Sequence, residues 1–313
     1  MFGSPSPSAL LEEQLTTLLG CLPGITNGIE DDVHKGRVAT RRMHETLMLV
    51  RSQHPEKADA LIKKIRSARR ALGAVRDADT AQHLLEDLEA QTEARDLVDD
   101  LRTQVGDEQR RTRRKLIKRL EVLDLQELPE LLAGLRRSHL RILPGGPKRG
   151  WRPTLRAHVS GRAKEARGAI EHATGVYFPN RAHSARVALK KLRYAIELAK
   201  ATNTWSPPHG LAVLREVQDT LGDTHDREVL MERIREIAAT RSSNGEADGL
   251  LRHLVDDTLR LHGDYLARRD AVLEIVNAAE HVTHNGRARV LLAATAVALP
   301  SALLLNRAAG AQR

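Results

Sequence analysis

The sequence predicts an all-α fold built from two similar halves, and three observations carry that expectation. Ala, Leu, Arg, Glu and Lys dominate the chain, and all are good helix formers. Aromatic residues make up only 2% of the 313 positions, so Leu and Ala must do the packing, and long alternating patterns of the strand kind do not occur. The third observation is an internal repeat. His34, Arg37, Arg41, Arg42 and Leu47 return as His183, Arg186, Lys190, Lys191 and Ile196, with His183 following His34 by 149 positions (183 − 34). At the same offset Leu72-Gly73 returns as Leu221-Gly222, Asp77 as Asp226, Arg66 as Arg215, Arg111 as Arg260 and Arg119 as Arg268. A unit that repeats its cations in place suggests two symmetric halves facing one polyanion.

The elements follow in order. Residues 1–8 are rich in Pro and Ser and read as a frayed end. Residues 9–22 form a short helix that Pro23-Gly24 ends. Residues 30–51 form a helix with acidic residues in its first turn, matching the positive end of the helix dipole. Pro55 opens the next helix, which runs to residue 76. Asp77 and Asp79 mark a junction, and a further helix reaches residue 91. Residues 94–123 form a longer helix with a densely basic second half, and 127–140 a lesser one. The loop Pro144-Gly145-Gly146-Pro147 is the best domain boundary in the chain. The second half repeats the order with helices over 154–174, 180–202, 207–221, 223–240 and 247–276, the last preceded by the loop Ser242-Ser243-Asn244-Gly245. Each half thus holds the helical content of a four-helix bundle. The expected organisation is a first half over 9–143, a second over 151–280, and a C-terminal apolar helix or tail over 281–313.

Fifty Lys and Arg against 41 Asp and Glu give a net charge of +9. Arg predominates, and its planar fork of donors fits phosphate oxygens two at a time. A basic balance by itself implies only a polyanion: nucleic acid, anionic lipid or polyphosphate. The single cysteine, Cys21, excludes an internal disulfide and a cysteine-based zinc site, and fits a reducing cytoplasm. Glu12 and Glu13 interrupt any secretory h-region, so no signal peptide is read. The run over 290–305 is apolar but contains Pro300 and falls short of the roughly 20 residues that a spanning helix needs. It reads first as a packing helix and second as a membrane contact.

The repeated helix carries the chemistry. At about 100° per residue, His34, Arg37, Arg41 and His44 share one quadrant, while Val33, Ala39, Met43, Leu47 and Val50 take another face. His183, Arg186, Lys190 and Arg193 reproduce the basic stripe, and Ala182, Leu189, Leu192 and Ile196 the apolar one. A plain solvated helix would mix Glu with Lys at i,i+4. The helix over 94–123 adds Arg110, Arg111, Arg113, Arg114, Lys115, Lys118 and Arg119. Lys63, Lys64, Arg66, Arg69 and Arg70 load the helix before it. The bland alternative for any one of these is a solvated cation whose stem lies along the helix. His34 and His183 admit three roles: core or capping residue, metal ligand, or pH-dependent phosphate donor. Arg37 and Arg186 at i+3 speak against metal. Asp77, Asp79, Asp223 and Asp226 read as helix caps before they read as magnesium ligands. No Gly-rich phosphate loop and no His-Glu-x-x-His occurs.

These residues resemble the CHAD domain family, named for conserved histidines on α-helices. The resemblance rests on Val33-His34-Lys35-Gly36-Arg37-Val38-Ala39-Thr40-Arg41-Arg42-Met43 and on Ala182-His183-Ser184-Ala185-Arg186-Val187-Ala188-Leu189-Lys190-Lys191-Leu192-Arg193-Tyr194. Leu72-Gly73-Ala74-Val75-Arg76-Asp77-Ala78-Asp79 and the degenerate Leu221-Gly222-Asp223-Thr224-His225-Asp226 complete it, and it covers roughly residues 9–280. The resemblance implies two antiparallel four-helix bundles related by a pseudo-two-fold axis, with inorganic polyphosphate bound on a basic channel or surface between them. The Glu-x-Glu-x-Lys start of a CYTH triphosphatase domain is absent, so a stand-alone member without inherited hydrolysis is expected. His44 stands where the family commonly has Arg, a place Arg193 holds in the second half. Arg69-Arg70 becomes Gln218-Asp219, so the second half is expected to bind more weakly.

The expected function is therefore non-enzymatic polyphosphate binding. The candidate residues are His34, Arg37, Arg41, Arg42 and His44; Arg66 and Arg69; Arg111, Arg114, Lys115 and Lys118; His183, Arg186, Lys190, Lys191 and Arg193; and Arg215 and Arg260. No catalytic residue, metal site or cofactor is expected. Nucleic acid is the second reading. Single-strand binders usually add aromatic stacking, and the basic helices hold only Tyr194. A phosphate-processing enzyme is the third. The expected setting is the cytoplasm, in association with polyphosphate granules.

Overall fold

The computed structural model describes residues 5–51, 55–89, 95–141, 151–208, 210–239 and 245–283. The 144–147 loop, the loop over 240–244 and the apolar run over 290–305 lie outside them. The described chain is all-α. In order it forms α1 (Pro7–Thr26), α2 (Glu30–Arg51), α3 (Pro55–Glu89), α4 (Arg95–Leu123), α5 (Leu128–Arg141), α6 (Trp151–His172), α7 (Pro179–Ala201), α8 (Ala212–Ala238) and α9 (Gly245–Glu280). Short 3-10 turns cover Leu125–Glu127 and His281–Thr283. No strand occurs among the described residues, and no helix there is long and apolar enough to cross a membrane.

Three helices run further than the sequence suggests. α1 continues through Pro23 to Thr26. Proline costs a helix one N–H donor, but Gly24 and Ile25 are buried, and this packing carries the last turn. The Pro23 carbonyl still accepts from the Asn27 N–H at 3.1 Å. The junction expected at Asp77 and Asp79 is absent, because α3 runs unbroken from Pro55 to Glu89. Leu72, Val75, Ala78 and Leu85 continue its buried face straight past the two acids. Asp79 is not a cap. It is buried and accepts from Gln109 Nε2 at 2.7 Å and Arg113 Nη2 at 3.2 Å on α4. Asp223 and Asp226 likewise lie inside α8, where one helix replaces the two expected over 207–221 and 223–240.

Neighbouring helices in sequence pack as neighbours in space: α1 on α2, α2 on α3, α3 on α4, then α6 on α7, α7 on α8 and α8 on α9, with α6 closing onto α9. α5 covers α1 and α3. One apolar cluster lies within α1–α5, centred on Leu18, Leu47, Ile65 and Leu72. A second lies mainly within α6–α9, around Leu155, Leu189, Ile196 and Val276. A third belongs to both sets: Leu85 and Leu101 of α3 and α4 pack in one cluster with Ile234 and Leu254 of α8 and α9. α2 also packs on α7 and α6, and α8 on α3 and α4. The two sets of helices therefore share an apolar joint at one end and meet along α2 and α7 at the other.

The shared joint has a measurable consequence. Leu85→Ala and Ile234→Ala each remove a fully buried side chain and should cost about 2–5 kcal/mol. In urea denaturation both variants should unfold in a single transition at a lowered midpoint. Two separate transitions would show that the third cluster does not join the halves.

Candidate functional site

α2 and α7 bury their apolar faces within their own sets, through Val33, Ala39, Met43 and Leu47 on one and Ala185, Leu189, Leu192 and Ile196 on the other. Where the two helices meet, their basic stripes come together. Arg37 and Arg41 of α2 approach Arg186 and Lys190 of α7 closely enough for each group to feel the others' charge. Burial, followed by Arg41 and Arg186, pulls the Arg37 guanidinium down to about 10. Burial, followed by Arg186, Arg41 and Arg37, pulls Lys190 down to about 7. Arg186 is lowered as well, again chiefly by burial. The Nε atoms of Arg37 and Arg186 are buried without a hydrogen-bond partner among the described residues.

Two carboxylates partly offset this charge. Asp77 Oδ1 on α3 lies 3.6 Å from Arg37 Nη2. Its counterpart 149 positions on, Asp226 of α8, interacts with Arg186, and burial raises its pKa. The repeated Leu-Gly element thus delivers an acid to the repeated Arg in each half. The four seam cations outnumber these two acids two to one.

The outer part of the seam is tied by polar contacts. The Tyr194 hydroxyl accepts from Arg41 Nη1 at 3.4 Å and from Arg193 Nη2 at 3.3 Å, and the Arg193 guanidinium lies 5.0 Å from the centre of that ring. Glu197 gathers Arg42 at 3.4 Å, Arg193 at 3.8 Å and Arg215 at 4.0 Å. Arg69 of α3 joins from the side, lowered first by burial and then by Arg41 and Arg66. Its counterpart Gln218 instead donates to the Leu189 carbonyl at 2.9 Å. Lys191 lies 3.9 Å from Glu165 of α6.

His34 and His183 are both exposed at the ends of the stripes. The pKa of each falls below the usual histidine value, first through burial. Arg76 and Arg37 add to the effect at His34, and Arg186 and Lys190 at His183. His183 packs against His225 of α8 at 4.9 Å between ring centres. His225 is pushed to about 4 by burial, Arg186 and His183. His44 leaves the stripe. It is buried beside Glu45, with Nδ1 at 3.9 Å, too far for a hydrogen bond. Glu45 anchors α2 to α6 through His158 Nε2 at 3.0 Å and Arg162 Nη2 at 3.5 Å.

The other sequence candidates lie elsewhere. Arg111, Arg114, Lys115 and Lys118 are on exposed positions of α4, which packs on α3 rather than on α2. Arg111 lines a cleft against α8. Arg260 is exposed on α9 and pairs with Asp257 at 3.1 Å and Asp264 at 3.9 Å. Tyr194, His225, Asp77 and Asp226 enter the seam without having been chosen from the sequence as site residues. The offset joining Asp77 to Asp226 was the available signal for the acids. Nothing in the sequence distinguished His225. Among the described residues no group of three or more His, Cys, Asp or Glu is placed to hold a metal ion.

Glu45 supplies a test of the anchor beneath the seam. Burial would raise its pKa, but His158, His44 and Arg162 outweigh that and hold it at about 2. A depressed carboxylate stabilises the fold above its ordinary range near pH 4.5, and that contribution is lost as pH falls towards 2. Glu45→Gln should therefore lower stability at pH 7 by about 1–3 kcal/mol and have little effect near pH 2. Urea titrations at the two pH values measure the difference.

Comparison with known proteins places the fold and the family. Among proteins with curated descriptions, none matches the chain. Two solved structures share the fold. The CHAD domain from the plant Ricinus communis matches at a TM-score of 0.58 and 19% identity, over 88% of this chain and 90% of that one. PptA from Streptomyces chartreusis matches at 0.57 and 16%, over 90% and 97%. The family model of the CHAD domain matches residues 9–235. This covers most of the chain, including both basic stripes and both Leu-Gly elements, and the protein therefore belongs to the CHAD family, which is associated with polyphosphate binding.

Proposed function

We propose that this protein binds inorganic polyphosphate, without catalysis, along the seam between α2 and α7. The observation that carries the reading is the confinement of Arg37, Arg41, Arg186 and Lys190 against one another with only Asp77 and Asp226 to offset them. A chain of phosphates brings regularly spaced anionic oxygens into such a row and relieves its repulsion. Arg42, Arg66, Arg69, Arg193 and Arg215 extend the row outward, and His34 and His183 stand at its ends. Lys191 is a flanking cation. Arg111, Arg114, Lys115, Lys118 and Arg260 serve as peripheral attraction, and His44 supports α2 from within.

The same reading treats 9–143 and 151–280 as two copies of one unit about a pseudo-two-fold axis. Each helix from α2 to α4 shares at least one end, within a residue, with its counterpart 149 positions on. The setting that suits the function is cytoplasmic, beside polyphosphate granules. Phosphate oxygens need no stacking platforms, and Tyr194 is already engaged by two arginines.

Competition at fixed salt tests the specificity. Long-chain polyphosphate should displace single-stranded RNA and duplex DNA at equal phosphate concentration, with an affinity that falls steeply as salt rises. Ready displacement of polyphosphate by nucleic acid would make nucleic acid the ligand. Arg37→Ala with Arg186→Ala should weaken binding a hundredfold or more, since each charged hydrogen bond contributes about 1.5–3 kcal/mol. Arg95→Ala with Arg252→Ala, on exposed faces, should change it far less. Equal losses would mean that only net charge matters.

Lys190 predicts the pH dependence. Arg37, Arg41, Arg186 and Asp226 surround an ammonium whose pKa in the free protein is about 7. A bound anion favours the charged form and raises that value. Affinity should be highest below pH 7 and fall as pH rises above it, by up to about tenfold per unit. Lys190→Arg keeps the charge and removes the titration, so its profile should be flat between pH 7 and 9. An unchanged slope would place the titrating group elsewhere.

A further inference from the structure

The two sets of helices solve one packing problem in different ways. The turn between α1 and α2 passes through Gly28, whose φ of +79° disfavours any residue with a side chain. Arg113 of α4 donates from Nη1 to the Gly28 carbonyl at 3.1 Å. Its Nη2 donates to buried Asp79 at 3.2 Å, and Asp79 also accepts from Gln109 at 2.7 Å. One guanidinium therefore satisfies a turn and a buried carboxylate together.

The corresponding positions 149 residues later are Glu228, Thr258 and His262. The turn between α6 and α7 passes through Gly175, with φ +83°. Its carbonyl lies 3.0 Å from His262 Nε2. The imidazole reproduces the contact with the turn but not the contact with the carboxylate. Nε2 must carry a proton to donate to a carbonyl, and in that tautomer of the neutral ring Nδ1 is an acceptor. That atom is buried without a hydrogen-bond partner among the described residues, as are Glu228 Oε1, Thr258 Oγ1 and the hydroxyls of Tyr177 and Tyr265. Thr258 is 2% exposed and His262 7%. The rings of Tyr177 and Tyr265 lie 5.1 and 5.8 Å from that of His262. The Arg227–Asp257 bond at 3.1 Å, one position before Glu228 and Thr258, holds α8 and α9 together at this level.

The three hydroxyls can donate as well as accept, whereas the ionised Glu228 carboxylate can only accept, so it is the group that a guanidinium like that of Arg113 would satisfy. Buried polar atoms of this kind are normally paired. The first half shows what pairs them there: a guanidinium. Access exists from outside. A cleft of about 770 Å³ between α4 and α8 is lined by Tyr177 and Glu228 and by the carboxylates of Asp107, Glu108, Glu232 and Glu236. Arg111, Arg233 and Arg235 share its walls, and Arg233 is engaged with Glu108 at 2.8 Å. Arg110 holds Asp107 as Arg233 holds Glu108, which leaves Glu228, Glu232 and Glu236 against Arg111 and Arg235, an excess of one negative charge once Glu228 is ionised. Burial pushes the Glu228 carboxyl up to about 7, and its neighbour His225, with Nδ1 3.6 Å from Oε2, is itself pushed down to about 4 and brings no positive charge.

We infer that the α4–α8 cleft binds a small organic cation, guanidinium or primary ammonium, which donates to Glu228 and to the unpartnered acceptors behind Tyr177 and so supplies from outside what Arg113 supplies within the first half. The site is distinct from the basic seam and takes a ligand of opposite charge.

Agmatine, which carries a guanidinium at one end and an ammonium at the other, is the probe. Calorimetric titration of the full chain at pH 8, without polyphosphate, should show saturable one-to-one binding and an accompanying rise in Tm. Butylurea, a neutral analogue, should not bind. Glu228→Gln keeps the shape, removes the charge and should weaken agmatine binding by about tenfold or more. Glu228→Asp with Thr258→Gln and His262→Arg rebuilds the arrangement of the first half. That triple variant should lose agmatine binding because its own arginine occupies the site. If it does not fold, Thr258→Val replaces it and should weaken binding measurably. Absence of saturable binding at millimolar agmatine, or equal binding by the wild type and Glu228→Gln, would overturn the inference.

Discussion

Like charges held together in a half-buried seam set the terms for the rest of this protein. Two unit charges about 6 Å apart at an effective dielectric near 20 repel by about 3 kcal/mol, and Arg37, Arg41, Arg186 and Lys190 lie close enough to act on one another's charge. Nothing within the seam repays this in full. Asp77 and Asp226 offset part of it, and Lys190 escapes part by lowering its pKa to about 7. The remainder must come from apolar packing elsewhere. That packing lies on the opposite faces of α2 and α7, within their own sets, and in the joint that α3, α4, α8 and α9 form together. The charged seam exists because apolar surfaces away from it hold the helices in place.

Helical periodicity made part of this arrangement legible. The spacing of His34, Arg37 and Arg41 puts them on one face of one helix, and the offset of 149 says that the face occurs twice. No local pattern encodes the meeting of the two faces, because that contact spans the halves; the repeat and the family resemblance suggested a shared basic surface but not which side chains approach one another. For the same reason the sequence could not say that Lys190 is buried enough to approach neutrality. The acids were misread locally. Asp is a favoured cap residue, so Asp77, Asp79, Asp223 and Asp226 read as helix ends. Their actual roles depend on neighbouring helices: Arg37 for Asp77, Arg113 for Asp79, Arg186 for Asp226. A buried Asp mid-helix and an exposed Asp at a cap look alike in one dimension.

The basic run on α4 illustrates the opposite difficulty. Arg110 to Arg119 is the densest positive stretch in the chain, yet α3 separates α4 from α2. Charge density along the sequence is not charge density in space. Arg113 turns inward to Asp79 and Gly28, Arg119 donates to Ser67 at 2.8 Å, and Arg110 pairs with Asp107. Part of what reads as ligand-binding charge is thus spent on tying helices together. The four seam cations differ in being buried against one another, so an approaching anion changes their energy far more than it changes that of a solvated arginine.

That difference links the seam to stability as well as to recognition. A ligand that binds only the folded state stabilises it by RT ln(1 + [L]/Kd), whatever its chemistry. In an uncharged cleft that term adds to a fold already at ease. Under the proposed function it would also remove a repulsion that the free protein carries, because phosphate oxygens would enter where Asp77 and Asp226 stand among four cations. The repeat sharpens the effect. A single cationic helix can turn its charge to solvent, but two such helices brought face to face by a shared apolar joint cannot both do so. The joint between Leu85, Leu101, Ile234 and Leu254 therefore does more than add buried area. By keeping the two sets of helices together, it sustains the repulsion between the stripes, which is the repulsion that the proposed polyanion would relieve.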